Sequence, residues 1–577
     1  MNNAPSNQVV SGMVAGNTGP RKSPLLLLLT FGLWGLTLTL LGQQLVPIIR
    51  SARGMAECFV LLAFSGLLVT FWLLGSYYLG LIGVFVWQKF RPSADGALFP
   101  IPRNDEPQVA ILYPTCDDFQ RESVMTCLAQ DYSNFHIFLL DDSRSEAFQQ
   151  KVDEFAREFR GRVTVIRRSD RIGFKAGNLN HALRGEVKNY PFFAVMDADE
   201  RIPADFLRLM MMRMAGGNHA FVQANHAPNP TQRGTFPQAM GQTILPFWSM
   251  LLAHKQHYGF VPCVGHGLLI RRSAWEAVGG FPEVASEDIA FSSVLLEKGL
   301  RGAYAENVVC HEDFPDSITS FKKQQQRYVA GVFQAVCGYW PRLLRSKQAS
   351  WIEKLDFALC CLPLYVPILG LFFMLTVGLG FPLCFGKFST IVADTRLGHF
   401  SVPYLQTFDG RFQSLWGTVF VFLSIFFSLT PSFPMLTLAM CGKIKHPLRL
   451  LLVSNLVYMS TMFVTFYSLL QVLFRRSVQF LPTGSLGGIH VRQRQLALPS
   501  RPNGYECVLS VGMGVLLLST LNIGLGAVAL APLLSHSRRI TLVACLAFCG
   551  VAAQIILAAV SRSGAWGIPS LVFSIHF

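Results

Sequence analysis

The sequence predicts an α/β domain inserted between α-helical transmembrane segments. Two observations support this prediction: long apolar runs lie at both ends of the chain, and the middle alternates short β-rich runs with helical stretches. Of the 577 residues, 51% are hydrophobic and only 14% are charged, whereas about 25% are charged in an ordinary soluble domain. This composition, with a mean hydropathy of +0.38, excludes a disordered or wholly soluble protein.

The N-terminal part predicts a helical hairpin in the membrane. A polar leader with a basic end, residues 1–23, precedes an apolar run at 24–49 that is longer than a signal-peptide core and lacks a cleavage pattern. A second run at 58–87 follows a short loop, so we expect residues 24–87 to form two crossing helices. The basic leader places the N-terminus in the cytoplasm, and the domain after these two spans returns there.

Residues 88–350 have the composition of a cytoplasmic α/β domain. Charged residues return in this region, and short apolar runs alternate with helical stretches. Five runs have the length of strands: 109–113, 136–140, 163–167, 192–196 and 220–223. Each of the first four leads into polar or small residues, as strand ends that carry a ligand site do.

Apolar runs return after residue 350, at 355–385, 412–440, 448–474, 507–534 and 540–560. If all five crossed, the basic loop at 475–504 would lie outside, against the excess of Lys and Arg in cytoplasmic loops. We therefore predict that 448–474, which has basic flanks, is an interfacial or re-entrant helix within the membrane region 351–474. The region 505–560 is then a second hairpin and 561–577 a short tail. This topology has six spans, although it leaves Arg538 and Arg539 outside.

Basic residues exceed acidic ones, mostly because of the C-terminal part. Lys and Arg number 49 against 34 Asp and Glu, and from Cys441 onward eleven residues are basic and one, Glu506, is acidic. Such an excess beside apolar segments marks the cytoplasmic face of a membrane protein, so we predict a lipid bilayer and no nucleic acid as partner. The thirteen Cys form no paired C-x-x-C, which argues against a disulfide framework and a structural zinc site.

Carboxylates follow three of the predicted strands. Asp197 and Asp199 stand two residues apart after FFAVM, where hard oxygen ligands suit Mg²⁺ or Mn²⁺. A D-x-D pair also arises by chance, so a solvated loop is the alternative. Asp142 follows the strand FHIFLL, and Asp118 follows VAIL. Three acidic strand ends in one sheet predict a single crevice, in which a divalent cation or a bound ribose relieves the repulsion.

Three further motifs carry chemistry, each with an ordinary structural alternative. Lys175 in KAGNLN could supply a cation to a phosphate or be a solvated loop lysine. The triplet Ser286, Glu287 and Asp288 could cap a helix, whereas a carboxylate facing a sugar hydroxyl is a natural general base. The segment QQQRY at 324–328 offers groups that suit a diphosphate and a sugar face, or it is a polar helix surface.

In this order and spacing, these elements resemble the processive family 2 glycosyltransferases, the bacterial cellulose, curdlan and hyaluronan synthase type. The resemblance is close over residues 109–331 and looser over the flanking helices to about residue 534. It rests on the segments YPTCDD, QDYSNFHIFLLDDS, FKAGNLNHAL, FFAVMDADERIP, FVQANH, GHGLLIRRSAWEAVGGF, SEDIAFS and QQQRYVAG. It implies a GT-A, Rossmann-like catalytic domain beneath a membrane channel, which transfers sugar from a UDP-sugar with inversion and extrudes the polymer.

The resemblance also implies roles for individual residues. The donor nucleotide would be bound by Thr115, Asp118, Asp142 and Lys175. The metal, Mg²⁺ or Mn²⁺, and the diphosphate would be held by Asp197 and Asp199. The general base that deprotonates the acceptor hydroxyl would be Asp288, with Glu287 binding substrate beside it. The diphosphate and the acceptor end would be bound by Gln324, Arg327 and Tyr328.

Some positions depart from the family pattern. Cys116, Asp117 and Asp118 stand where the family usually has Asn-Glu, and Ser286 replaces the common Thr. Tyr328 replaces the usual Trp, and the smaller ring of Tyr is expected to alter acceptor stacking. His266 matches the acceptor-side loop in part and is expected to shape the site or donate hydrogen bonds, not to bind metal. The segment FLPTGS at 480–485 keeps the Phe and Thr of a gating loop but lacks its Lys.

These arguments predict a multi-pass bacterial inner-membrane enzyme that extends a β-linked glycan and threads it through its own helices. The resemblance makes UDP-glucose the expected donor and the growing polysaccharide the acceptor. The alternative is a non-processive transferase that adds one sugar to a membrane lipid or lipid carrier. A third hypothesis is a transporter or assembly subunit whose domain binds a nucleotide without turnover. A periplasmic or regulatory protein partner is left open, because no cyclic-di-GMP-binding domain is recognisable in the tail.

Overall fold

The computed structural model describes residues 22–90, 98–385, 387–395, 398–406, 418–444 and 446–474. Residues 1–21 of the leader, the loop at 475–504 with its FLPTGS segment, the hairpin at 505–560 and the tail at 561–577 lie outside the described residues. What was expected of those segments therefore stays a prediction.

Two long apolar helices, α1 (Leu25–Arg50) and α2 (Met55–Lys89), begin the described chain and pack against each other. The hydroxyls of Thr30 and Thr37 donate to carbonyls one turn earlier, each at 2.8 Å, so these polar groups are satisfied inside an apolar helix. Both helices are long and apolar enough to cross a membrane, as predicted for residues 24–87.

Seven strands form one mixed sheet. They are β1 (Val109–Thr115), β2 (Phe135–Asp141), β3 (Val163–Ile166), β4 (Phe192–Val195), β5 (Phe221–Pro228), β6 (Leu268–Arg271) and β7 (Gly302–Glu312). Their order is β3-β2-β1-β4-β6-β5-β7, with β6 antiparallel to both neighbours and the other pairs parallel. The five predicted strands are confirmed, although β5 ends later than expected, and β6 and β7 are additional to the prediction.

Helices cover both faces of this sheet, which explains why its strands are continuous apolar runs. In β1, Val109, Ile111 and Tyr113 join one hydrophobic core, and Ala110 and Leu112 join the other. The helices of the domain are α3 (Arg121–Leu128), α4 (Glu146–Glu158), α5 (Phe174–Arg184), α6 (Phe206–Ala215), α7 (Thr235–Gln242), α8 (Ala253–Tyr258), α9 (Arg272–Val278), α10 (Glu287–Glu297) and α11 (Ile318–Arg345). The predicted fold class, an α/β domain between apolar helices, is confirmed.

Apolar helices follow the domain. They are α12 (Trp351–Cys361), α13 (Val366–Leu375), α14 (Phe381–Phe385), α15 (Thr418–Leu429), α16 (Phe433–Met440), α17 (Pro447–Met459) and α18 (Met462–Leu473). Two strands, β8 (Lys387–Thr395) and β9 (Gly398–Gln406), form an antiparallel hairpin between α14 and α15.

Four helical stretches among the described residues are long and apolar enough to cross a membrane: α1, α2, Trp351–Phe385 and Val453–Leu473. The stretch Trp351–Phe385 corresponds to the predicted run at 355–385. A turn at Ser460 and Thr461 separates α17 from α18. The interfacial or re-entrant position of segment 448–474 stays a prediction. The stretch Val453–Leu473 within it is also long and apolar enough to span the membrane.

A buried ion pair joins the α/β domain to α12. Lys255 on α8 contacts Asp356 on α12, and their side chains are 1% and 0% exposed. The Phe260 amide donates a second bond, at 3.2 Å, to the same carboxylate. Gly259 is required at this contact, since a Cβ there would lie 1.9 Å from a carboxylate oxygen of Asp356. The domain and α12 therefore pack as one unit.

Candidate active site

The acidic strand ends predicted from the sequence meet at one edge of the sheet. Thr115, the last residue of β1, is in register with Asp141, the last residue of β2. β4 pairs with the other side of β1 and ends two residues before Asp197. Because these strands are parallel, their carboxyl ends open on the same crevice.

The loop after β1 is folded around its own carboxylates. Asp118 accepts hydrogen bonds from the Thr115 hydroxyl at 2.9 Å and from the Cys116 amide at 2.7 Å. Burial raises the pKa of Asp118. Asp117 has a positive φ of 60° and accepts from the amides of Arg144 and Ser145, so it braces the loop that follows β2. Of the two neighbouring acids, Asp117 supports the loop and Asp118 faces Thr115.

Asp142 is held by a residue that the sequence analysis missed. The Arg168 guanidinium donates to both oxygens of Asp142, at 3.0 and 2.6 Å, and its side chain is only 4% exposed. It also donates to the carbonyls of Ile172 and Phe174, at 2.6 and 3.0 Å. Arg168 thus joins the end of β2 to the start of α5, which carries Lys175. Its position just after β3 is the signal that could have identified it.

The resemblance implies that Asp142 binds the uridine of a UDP-sugar. On that expectation, replacing Arg168 with Met should weaken UDP binding about tenfold or more, because Asp142 would lose a bidentate partner in a nearly buried position. Binding of UDP to the purified protein, measured by calorimetry, checks this. Arg121→Met is the control, since Arg121 forms an exposed pair with Glu158 and such pairs contribute little. Equal UDP affinity in both variants would show that the Arg168 clamp has no part in nucleotide binding.

Asp197 is paired with a lysine at the entrance of the crevice. The Lys175 ammonium group contacts Asp197 and donates to the Gly265 carbonyl at 2.9 Å. Burial would lower the pKa of Lys175, but Asp197 and Glu287 outweigh it and raise that pKa. The pKa of Asp197 is lowered, since Lys175 and His266 overcome the opposing effect of burial. Lys175 is therefore an ammonium cation and Asp197 a carboxylate.

Asp199 lies in a more strongly acidic environment. Burial, Asp197 and Glu312 together raise its pKa well above the usual range. A divalent cation between Asp197 and Asp199 would relieve this unfavourable charge, and both residues offer the oxygen ligands that Mg²⁺ and Mn²⁺ prefer. The donor set at this position fits a divalent metal ion.

A buried hydrogen-bonded network around Glu200 holds the loop that carries Asp197 and Asp199. Glu200 accepts from His226 at 2.8 Å and from the amides of Gly267 and Asp197 at 3.1 and 3.2 Å. His266 lies 3.6 Å from Glu200 and 3.7 Å from Glu312. Despite burial, Asp197 and Glu200 raise the pKa of His266 to about 10. The imidazolium of His266 is therefore a second built-in cation beneath the acidic residues.

Glu200, His226 and Cys310 are close enough to be considered as metal ligands. One ligand atom from each lies within 4.8 Å of the others, and all three residues are buried. The 2.8 Å bond between Glu200 and His226 is shorter than the separation of two ligands on one zinc ion, roughly 3.3 Å for bonds of about 2.0 Å. We therefore assign this group to the hydrogen-bonded network.

The loop 264–267 connects the network to the predicted general base. The Gln223 side chain on β5 accepts from the Val264 amide at 2.9 Å and donates to the His266 carbonyl at 2.9 Å. Gly265 has a φ of +88°, and a Cβ there would lie 3.4 Å from the Cβ of Asp288. This loop precedes β6, and because β6 is antiparallel it reaches the same edge of the sheet as the other strand ends.

Glu287 and Asp288 begin α10 beside Lys175. Burial raises the pKa of Glu287 to about 7 and also raises that of Asp288, while Lys175 opposes both shifts. Within the described residues, no capping hydrogen bond joins the Ser286 side chain to the helix, so the capping alternative is not observed for Ser286. Carboxyl groups whose pKa is raised in this way are candidates for proton transfer, so Glu287 and Asp288 are candidate proton acceptors in the crevice.

The helix α11, which carries Gln324, Arg327 and Tyr328, approaches the start of α10 at Gly331. A Cβ at Gly331 would lie 2.3 Å from the Ser286 hydroxyl, so α11 packs directly on the start of α10. Tyr328, one turn earlier, is 39% exposed. The Arg327 guanidinium lies 5.5 Å from the centre of the Tyr328 ring.

Gln324 lies on α11 one turn before Arg327 and Tyr328. The structure brings the predicted residues of the strand ends and of the start of α10 together at one edge of the sheet, and α11 packs beside them. The group at the ends of β1 and β2 comprises Thr115, Asp118 and Asp142. The centre comprises Lys175, Asp197, Asp199, Glu287 and Asp288. The helix α11 contributes Gln324, Arg327 and Tyr328.

Comparison with known proteins gives a family match and several curated relatives, one of which is described here. The family model described as "Glycosyl transferase family group 2" matches residues 192–475. Cellulose synthase 2 of Novacetimonas hansenii is 28% identical over 249 residues, which cover 41% of this chain and 15% of that protein. The match thus spans less than a sixth of the curated relative's length.

Two solved structures are similar at low sequence identity. The mannosyltransferase PcManGT from Pyrobaculum calidifontis, in complex with GDP-Man and Mn²⁺, is 16% identical with a TM-score of 0.45, over 71% of this chain and 100% of that chain. A structure of S. aureus TarS with UDP-GlcNAc is 13% identical with a TM-score of 0.32, over 48% of this chain and 81% of that chain.

Proposed function

We propose that this chain is a family 2 glycosyltransferase of the cellulose synthase type, which extends a β-linked glycan from a UDP-sugar, with UDP-glucose as the expected donor. The observation that supports this proposal most directly is the crevice itself. Lys175 contacts Asp197, and Gly265 lies close to Asp288. The residues proposed to hold the diphosphate would therefore lie next to the residue proposed to act on the acceptor. Nucleotide binding without turnover would not need a carboxyl group of raised pKa at that point.

The donor nucleotide would bind along the ends of β1 and β2. Thr115, Asp118 and Asp142 line this part of the crevice, where hydroxyl and carboxylate groups can accept hydrogen bonds from a uridine. A Mg²⁺ or Mn²⁺ ion held by Asp197 and Asp199 would neutralise the charge that develops on the departing UDP. Arg327 and Gln324 would bind the diphosphate from α11, and the ring of Tyr328 would contact the acceptor sugar.

Asp288 would act as the general base. Its carboxylate takes the proton of the acceptor hydroxyl as the hydroxyl oxygen bonds to the anomeric carbon and the bond between that carbon and the UDP oxygen breaks. Attack from the side opposite UDP inverts the anomeric configuration. Glu287, next to Asp288, would bind the sugar. The positive charge of Lys175 acts on both carboxyl groups.

The membrane helices complete the proposal. Four stretches among the described residues can cross a bilayer, and α12 is joined to the catalytic domain by the Lys255–Asp356 pair. We propose that the domain lies on the cytoplasmic side of a bacterial inner membrane and passes the growing polysaccharide to these helices. Chemistry and export would then take place in one chain.

Membranes that contain the protein should incorporate label from UDP-glucose into ethanol-insoluble material when Mg²⁺ or Mn²⁺ is present. Digestion with linkage-specific β-glucanases should dissolve that material and define the linkage. Membranes with the Asp197→Ala variant serve as the control, because they lack a ligand of the proposed metal site. Label from any UDP-sugar that enters only the lipid-extractable fraction would overturn the processive proposal in favour of single-sugar transfer to a lipid.

A further inference from the structure

Lys175 occupies the position in which a divalent cation is proposed to act. Its ammonium group contacts Asp197 and the Gly265 carbonyl, and the Lys175 side chain is 14% exposed against 38% for Asp197. The lysine therefore approaches Asp197 from the protein side, while the carboxylate stays open to the crevice. Asp197 already has a monovalent partner before any metal ion arrives.

Acidic groups surround Lys175 in the described part of the chain. Asp197, Glu287 and Glu200 all act on Lys175 electrostatically, and its ammonium group contacts Asp197 directly. A divalent ion that binds Asp197 must therefore approach this ammonium group, and two cations at so short a distance repel each other strongly in a partly buried site.

A nucleotide diphosphate would change this balance. It brings negative charge into the crevice and offers Lys175 a new partner, and the four-carbon stem of a lysine is flexible enough to turn from one anion to another. Accepting that the crevice binds a UDP-sugar, we propose that Lys175 is an internal counter-ion of Asp197 that opposes metal binding until a nucleotide diphosphate arrives. Metal and nucleotide then bind cooperatively, and each raises the affinity of the other by the same factor.

Binding of Mn²⁺ to the purified full-length protein tests this inference without any turnover. Free Mn²⁺ is measured by electron paramagnetic resonance in the absence and presence of UDP. In the unaltered protein, UDP should raise the Mn²⁺ affinity at least tenfold. Lys175→Met should raise the Mn²⁺ affinity measured without UDP about tenfold and reduce the effect of UDP to less than threefold. Lys175→Arg, which keeps the charge, should behave like the unaltered protein.

Lys188→Met is the matched control, since Lys188 is exposed and its removal should leave Mn²⁺ binding unchanged. The inference is wrong if Lys175→Met leaves the UDP-free Mn²⁺ affinity unchanged or lowers it. It is also wrong if UDP does not raise the Mn²⁺ affinity of the unaltered protein, a result that needs no variant to fold. A protein that binds neither UDP nor Mn²⁺ would instead contradict the proposed function.

Discussion

Replacing Asp288 with Asn should reduce sugar transfer by about a thousandfold while UDP binding stays nearly unchanged. General base catalysis contributes factors of roughly 10² to 10⁴, and an amide of the same shape cannot accept the proton of the acceptor hydroxyl. Thr115, Asp118 and Asp142, which are proposed to bind the nucleotide, lie at the ends of other strands and should keep their hydrogen bonds in this variant. Product formation and UDP affinity, measured on the same preparation, check the expected separation.

The pH dependence gives a second measurement on the same residue. Burial raises the pKa of Asp288 above its ordinary value of 3.8. A general base is inactive when protonated, so the transfer rate should fall as the pH drops through this raised pKa, at a higher pH than an ordinary aspartate would give. Equal loss of turnover and UDP binding in Asp288→Asn would show that Asp288 is structural and not the base.

Adding a methyl group at Gly331 should lower the transfer rate about a hundredfold. A Cβ at this position would lie 2.3 Å from the hydroxyl oxygen of Ser286 and 3.1 Å from the Cβ and the amide nitrogen of Ser286. The hydroxyl can rotate away, but the Cβ and the backbone cannot, so Gly331→Ala should shift α11 relative to the start of α10. Displacement of reacting groups by about 1 Å can cost roughly a factor of 10². Arg327 and Tyr328 would move relative to Asp288, and the initial rate of label incorporation measures the effect.

The same helix provides the control. Gly338 is exposed, and a Cβ there would have nothing within 4 Å. Gly338→Ala should therefore keep full activity and stabilise the helix by about 0.5–1 kcal/mol, the usual difference between Gly and Ala inside a helix. Full activity in Gly331→Ala, or an equal loss in both variants, would contradict the positioning role of the contact with Ser286.

The strands that carry the acidic residues could be predicted because their signals are local. The runs before Asp118, Asp142 and Asp197 are apolar and short, and each is followed at once by polar residues. β6 escaped the prediction because its four residues resemble any buried segment. Its antiparallel direction also places the loop 264–267 before the strand, whereas Asp118, Asp142 and Asp197 all follow their strands.

The supporting residues could not be predicted from spacing. Arg168 and Asp142 are 26 positions apart, as are His226 and Glu200. Nothing in the local pattern indicates that these side chains meet, because their contacts depend on how β2, β3 and β5 are arranged in the sheet. Glu200 follows Asp199 directly, but it points into the protein, where it holds the amides of Asp197 and Gly267.

The buried pair between Lys255 and Asp356 limits how this protein can be divided for study. A fragment that ends near residue 350 would keep the whole sheet and every predicted catalytic residue, but it would leave Lys255 buried without its carboxylate. Breaking such a pair costs about 3–5 kcal/mol, out of a total stability of about 5–15 kcal/mol for a typical domain. The first helix after the catalytic domain is therefore part of that domain's fold, and a soluble enzyme cannot be obtained simply by cutting at the predicted membrane boundary.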